Sequence, residues 1–273
     1  MDLKNTRHVM SHAARLVKAL VVCFGSLLLL CIAPLASAQP GPVNGVMAFD
    51  ATANADIKKI VLLKSSTPAL IVERMGGILV AGVGVNTGAA LAFGAIGAMV
   101  ASGTDKTQPY SREVSAKIKA LGFDLHDSYA DQVKQALERT GYEVRVAAAS
   151  RTSATKFVAN LAGIADADEA VLDLGMVIPV INWVESEKKF TPGFTTAVRL
   201  ARSAGEPIAY GNSFAYVPAH RKTGVTLVPL EEKYAFDSFE TVLQNANLLV
   251  EAFQLGASGV AARIAADLKR RAD

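Results

Sequence analysis

The chain has 273 residues, with 28 basic against 25 acidic side chains, two cysteines and one tryptophan. Four of the bases (Lys4, Arg7, Arg15, Lys18) and one acid (Asp2) fall in the first 38 residues, so the rest carries 24 of each sign and no electrostatic footprint for nucleic acid. Cys23 and Cys31 lie in the same opening stretch, which excludes a disulfide, a zinc-thiolate centre and a cysteine nucleophile from the remainder.

After its basic start the chain runs uncharged through residues 19–30 and reaches Ala36-Ser37-Ala38. That order of basic, apolar and small-residue regions is that of a cleavable secretory leader, with the cut between Ala38 and Gln39. The apolar run is shorter than the roughly 20 residues that span hydrocarbon. Val22 before Cys23 and Leu30 before Cys31 are too large for a lipid-attachment site. Export is therefore expected, to the periplasm or to association with the outer membrane. The expected plan is a leader at 1–38, a flexible entry at 39–54, and one α/β domain over 55–271 interrupted by a glycine-rich insertion at 75–104.

Pro40, Gly41 and Pro42 keep the entry irregular. Residues 57–64 (IKKIVLLK) combine β-branched and aliphatic side chains in a short run, the pattern of a core strand, with 69–73 as its expected partner. The insertion follows: thirty residues from Met75 to Thr104 without a charge, eight of them glycine. Gly84 and Gly88, Ala90 and Gly94, and Gly97 and Ala101 repeat the small-xxx-small spacing of a glycine zipper, which lets helix backbones approach closely. Large apolar residues cover every face, so a helix here is buried in protein or in lipid. Gly84, Gly88, Gly94 and Gly97 are the candidate membrane or helix-packing positions.

From Ser111 the pattern turns helical, with Val114, Ile118, Leu121 and Leu125 on one face and Gly122 as a divider. A second helix over 127–140 ends at Gly141, the residue type expected just past a helix. Residues 142–147 (YEVRVA) alternate as a strand. A helix over 153–162 comes next, then strands over 170–181 and 194–201, a tight turn at 203–206 built on Gly205, and a returning strand over 208–216, which together predict a meander. Residues 239–271 close the chain as one amphipathic helix carrying Val242, Leu249, Phe253, Val260, Ile264 and Leu268, weakened at Gly256 and Gly259. The basic residues Lys269, Arg270 and Arg271 complement its dipole. The expected fold class is thus α/β (α+β): a mixed sheet packed by helices, with a C-terminal amphipathic helix and a Gly/Ala-rich apolar helical segment or hairpin.

Residues 136–146 (ALERTGYEVRV), the strand 170–174 and the hairpin 198–216 (VRLARSAGEPIAYGNSFAY), with Ala167-Asp168 leading into the strand, are similar to a known group. At the level of pattern, over residues 55–265, the chain resembles the periplasmic α/β domains of envelope proteins related to the curli secretion protein and to the amino-terminal domain of the translocation protein TolB. The resemblance implies an α/β scaffold with an assembly or pore role in the envelope. Many members are lipoproteins, which this chain is not expected to be. The apolar insertion also stands where the family pattern has a strand and a short crossover.

Residue chemistry adds no catalytic constellation. His126, with Asp124 and Asp127, suggests an acid/base or metal cluster, but neighbours on a helix do not point at a common centre. His220, beside Arg221 and Lys222, reads as a solvated turn. Gly211-Asn212-Ser213-Phe214-Ala215 lacks the second glycine of a nucleophile elbow and lies in a predicted strand. The glycines at 82, 84 and 88 follow Gly-x-Gly-x-x-x-Gly rather than the dinucleotide-binding spacing. Asp166, Asp168 and Glu169 lack the glycine-punctuated series of a calcium loop. No catalytic, cofactor-binding or metal residue and no cofactor is expected. The partners expected are an envelope protein or the membrane, with a homo-oligomer as a further possibility and no nucleic acid. The expected role is a non-catalytic scaffold or accessory protein acting through the insertion. A self-assembling membrane component, or an enzyme of another class, is the alternative.

Overall fold

Residues 60–63 (IVLL) are apolar on both sides of the strand they form, and that dictates a place between two other strands with both faces covered. The structure, a computed structural model, describes residues 46–65, 70–73, 108–151, 157–158, 160–175, 177–184, 186–202, 208–218 and 225–269. All belong to the unit Pro42–Asp273. Among the described residues eight strands form one mixed sheet, confirming the α/β class.

Strand β1 (Lys59–Leu63) lies between β3 (Glu143–Ala147) and β4 (Glu169–Asp173), parallel to both. β2 (Ile71–Glu73) pairs in parallel with β5 (Val177–Val184), not with β1 as its position in the sequence suggests. The expected strand over 170–181 is two: β4 and β5 run along the same edge of β6 (Lys189–Ala201), separated by an irregularity at Gly175. Gly175 has φ 57°, and a Cβ there would lie 2.6 Å from the Ala197 carbonyl oxygen, so both conformation and space call for glycine. β6 pairs antiparallel with β7 (Ile208–Pro218), giving the predicted meander. β8 (Thr226–Leu230), which the sequence pattern does not announce, pairs parallel to β7 and carries an exposed Pro229. Proline tolerates the end of a sheet because an outer strand has N–H groups with no ladder to serve.

One face of the sheet is covered by α1 (Gln108–Ala120), α2 (Leu125–Arg139), α3 (Phe239–Gln244) and α4 (Ala246–Asp267). Ile60, Leu62, Leu172, Phe194 and Val198 meet these helices, while Val61, Leu63, Val171 and Ala201 face the other way onto Val158 and Leu161. The β1-to-β3 connection passes over the helix face and the β3-to-β4 connection returns over the opposite one, so both crossovers have the same hand. Phe157, Val158 and residues 160–162 are not helical, which corrects the helix predicted over 153–162.

Local chemistry explains the helix ends. Asp124 caps α2 by accepting from the backbone N–H groups of His126 and Asp127, and Gly141 follows at φ 90°. The predicted single closing helix is two, broken at Asn245, whose side chain donates to the Thr241 carbonyl. α4 runs unbroken through Gly256 and Gly259. A Cβ at Gly256 would lie 2.6 Å from Tyr216 Cγ, and one at Gly259 2.7 Å from Val228 Cγ1, so these glycines are where the helix presses on the sheet rather than where it bends. α4 is the described helix long and apolar enough to cross a membrane by length and composition, yet half of it is buried and Leu249, Ala252, Phe253, Val260 and Ile264 sit in the core. Its last turn is tied down: the Tyr142 hydroxyl donates to the Leu268 carbonyl at 2.7 Å, and Tyr210 and Asn212 donate to Asp267 at 2.8 and 3.0 Å.

Candidate functional site

The sequence directs attention to the insertion, and the structure describes its two roots. β2 is only three residues long and ends at Glu73, while α1 begins at Gln108. The Val72 N–H donates to Ser111 Oγ at 3.0 Å, joining the strand to the first turn of the helix. The described residues that flank 74–107 are therefore held close together, on the end of the sheet where β2 runs beside β5. Gly84, Gly88, Gly94 and Gly97 lie outside the described residues, as do Ala38 and Gln39, His220, Arg270, Arg271, the 203–206 turn and the Gly82-to-Gly88 motif.

His126 stands in the first turn of α2, half-buried, with Nδ1 2.7 Å from Ser65 Oγ just beyond β1. Burial pulls its imidazole below the ordinary value, against the opposing pull of Asp124 and Asp127, so the ring is neutral at pH 7. Asp127 pairs with Lys64 at 2.6 Å, and Asp124 is engaged as the helix cap. The carboxyl ends of parallel strands are where open α/β sheets bind ligands, but here the amides of the first helical turn are already taken by Asp124. The chemistry present is a tether between the end of β1 and the start of α2. Sequence reasoning found His126 and missed Ser65, because the two are distant in the chain.

A second polar group lies under the β3-to-β4 crossover. Asp173 is 1% exposed, and its carboxylate accepts from Arg151 Nη2 at 2.7 Å and from the N–H groups of Val158 and Gly175 at 2.7 and 2.8 Å. Arg199 lies 4.0 Å from the same carboxylate, donates to the Val158 carbonyl at 2.8 Å, and sits 4.8 Å over the Phe157 ring. Burial lowers the Arg199 pKa, Asp173 opposes this, and Arg151 adds to it. The sequence holds a signal for this cluster: Asp173 and Arg199 are charges set within the apolar runs AVLDL and AVRLA. Charges in buried strands must find partners.

Of Asp166, Asp168 and Glu169, the last two are paired with bases. Asp168 meets Lys59 at 2.7 Å, and Glu169 receives Arg145 through Nε at 2.7 Å as well as through Nη2. Arg145 holds the Glu169 carboxyl down at about 2. These carboxylates are committed to lysine and arginine rather than converging on a cation, and among the described residues no group of three metal-ligating side chains occurs. Ser213 is buried in the middle of β7, opposite Ala197, far from the exposed turn a serine nucleophile needs. Between α2 and α4 lies a shallow groove of about 190 Å³ lined by alanines with Gln132, Arg139 and Ser258, so it brings one ionisable group and no convergent set. No protein-family model and no curated protein matches the chain.

Proposed function

We propose that the protein is a non-catalytic, exported component of the cell envelope, an α/β scaffold that engages the membrane or an envelope partner through the glycine-rich apolar segment within residues 74–107. The observation that carries this reading is the bond from Val72 to Ser111, which gathers both ends of the segment at one point on an otherwise self-contained domain. Thirty uncharged residues lie between these two joined elements, and the described strands form their sheet without them. The pairing of Asp173 with Arg151 and of Glu169 with Arg145 favours a scaffold over an enzyme, because a reacting group must be left free to meet a substrate.

The test compares the chain from Gln39 onward with the same chain lacking residues 76–102, by membrane fractionation with carbonate and detergent extraction. The expected outcome is that the complete chain resists carbonate and is released by detergent, while the shortened one is soluble and folded. Release of both by carbonate alone sinks the membrane form of the proposal and directs the search to a protein partner.

A further inference from the structure

The end of the sheet at which residues 74–107 begin and finish also carries a row of aromatic rings. Tyr110 packs on Phe239 with ring centres 4.4 Å apart, Phe239 meets the edge of Phe190 at 6.2 Å, and Phe190 packs on Trp183 at 4.9 Å. Chain position and register fix where these rings lie. Tyr110 immediately precedes Ser111, the residue that receives the bond from β2. Trp183 immediately follows Asn182, the register partner of Glu73, and it faces Phe190 across the β5–β6 pair. The rings thus border the place where the chain enters and leaves the apolar segment.

Burial differs from ring to ring along the row. Phe239 is buried, Phe190 and Trp183 are half-buried, and Tyr110 is 46% exposed. A ring with an apolar body and a polar tip is favoured where one end is dry and the other wet, which is why tryptophan and tyrosine concentrate at the headgroup level of bilayers. Charge does not supply a competing explanation. Within three residues of these rings the sequence carries three bases (Arg112, Lys188, Lys189) and five acids (Glu113, Glu185, Glu187, Asp237, Glu240), a small negative excess that points away from an acidic partner and toward a zwitterionic rather than an anionic surface.

We infer that Tyr110, Trp183 and Phe190 form an interfacial anchor that seats this end of the domain against the headgroup layer of a phospholipid bilayer. The inference rests on the reading above that the neighbouring segment reaches lipid, and it adds the orientation of the domain: sheet end down, with the end bearing Asp168 and Lys59 away from the surface.

Trp183 is the chain's only tryptophan, so its emission reports on this site without labelling. The chain from Gln39 onward is mixed with phosphatidylcholine vesicles, floated, and its fluorescence recorded on the floated fraction. The expected result is a blue shift on binding, with stronger quenching by lipids brominated near the headgroup than by lipids brominated at the acyl terminus. Flotation with unshifted, unquenched emission overturns the anchor while leaving membrane attachment through the segment intact. Failure to float overturns both. In floated Tyr110→Ser, which removes the exposed ring resting on Phe239 and is checked for an unchanged melting temperature, weaker quenching of Trp183 supports the anchor, and unchanged quenching depth removes Tyr110 from it.

Discussion

Asp173 holds the connection between β3 and β4 with both carboxylate oxygens, one toward Arg151 and Gly175 and the other toward Val158. Arg199 completes the grip from β6 through the Val158 carbonyl, so a single crossover residue is clamped at its N–H and its C=O. Ion pairs in such surroundings add little net stability, because desolvation consumes most of the Coulombic gain, but removing one partner leaves the other charge stranded. Asp173→Ala is therefore expected to cost about 3–5 kcal/mol, read as a lowered urea midpoint. A loss well below that would show that water reaches Arg151 in the folded protein. The surface pair of Lys134 and Glu138, one helical turn apart, is an instructive contrast, since exposed pairs of this kind are worth only about 0.3–0.5 kcal/mol.

At the scale of the element, α4 shows how a glycine that weakens a helix is kept for what it lets the helix touch. Gly256→Ala gains about 1 kcal/mol of helix propensity. It also drives a methyl group into the Tyr216 ring, which is 2% exposed and has no space to retreat into. Overpacking of a well-filled core costs about 1–3 kcal/mol, so the substitution is expected to lower the melting temperature on balance; a rise would mean that α4 lifts from the sheet at little cost. Sequence periodicity made the body and the end of α2 legible through the stripe of Tyr129, Val133 and Leu137 and the stop at Gly141, while its start was missed, because Asp124 was read as a neighbour of His126 and not as the cap it is. Periodicity likewise made β1, β3 and β7 legible. What stayed hidden was pairing: β2 lies beside β5 although β1 is its neighbour in sequence, since a three-residue strand carries no mark of its partner. β8 was missed because Pro229 argues against a strand until its place at the margin of the sheet is known. Within the candidate sites, His126 was visible by residue type, whereas Ser65, Arg151 and the aromatic row are assembled by long-range contacts that no spacing encodes.

For the whole molecule, the junction of β2 with α1 predicts that removing the insertion leaves the domain's stability nearly unchanged. Both flanking elements are anchored independently, β2 on β5 and α1 on the helix layer. The entropy of closing a loop grows only with the logarithm of its length, about 0.6 kcal/mol per doubling. Removing residues 76–102 shortens the connection by roughly two doublings, so the shortened domain is expected to unfold as cooperatively as the complete one and to gain about 1 kcal/mol. Chemical denaturation of the two chains in detergent-free and detergent-containing buffer checks this. A large loss would show that the segment belongs to the core after all.

The fastening of the last helical turn by Tyr142, Tyr210 and Asn212 has a consequence in time rather than in space. The residues that close the core, Val260, Ile264 and Leu268, are synthesised long after β1, which itself finds its strand partners only about a hundred residues later. Non-local pairings of this kind form slowly because loop entropy must be overcome before any contact rewards it. The helix that covers α2 and the central strands cannot be borrowed from elsewhere in the chain. Until Leu268 has been made, α2 and the strands beneath it lack the helix that covers them, and the core stays open.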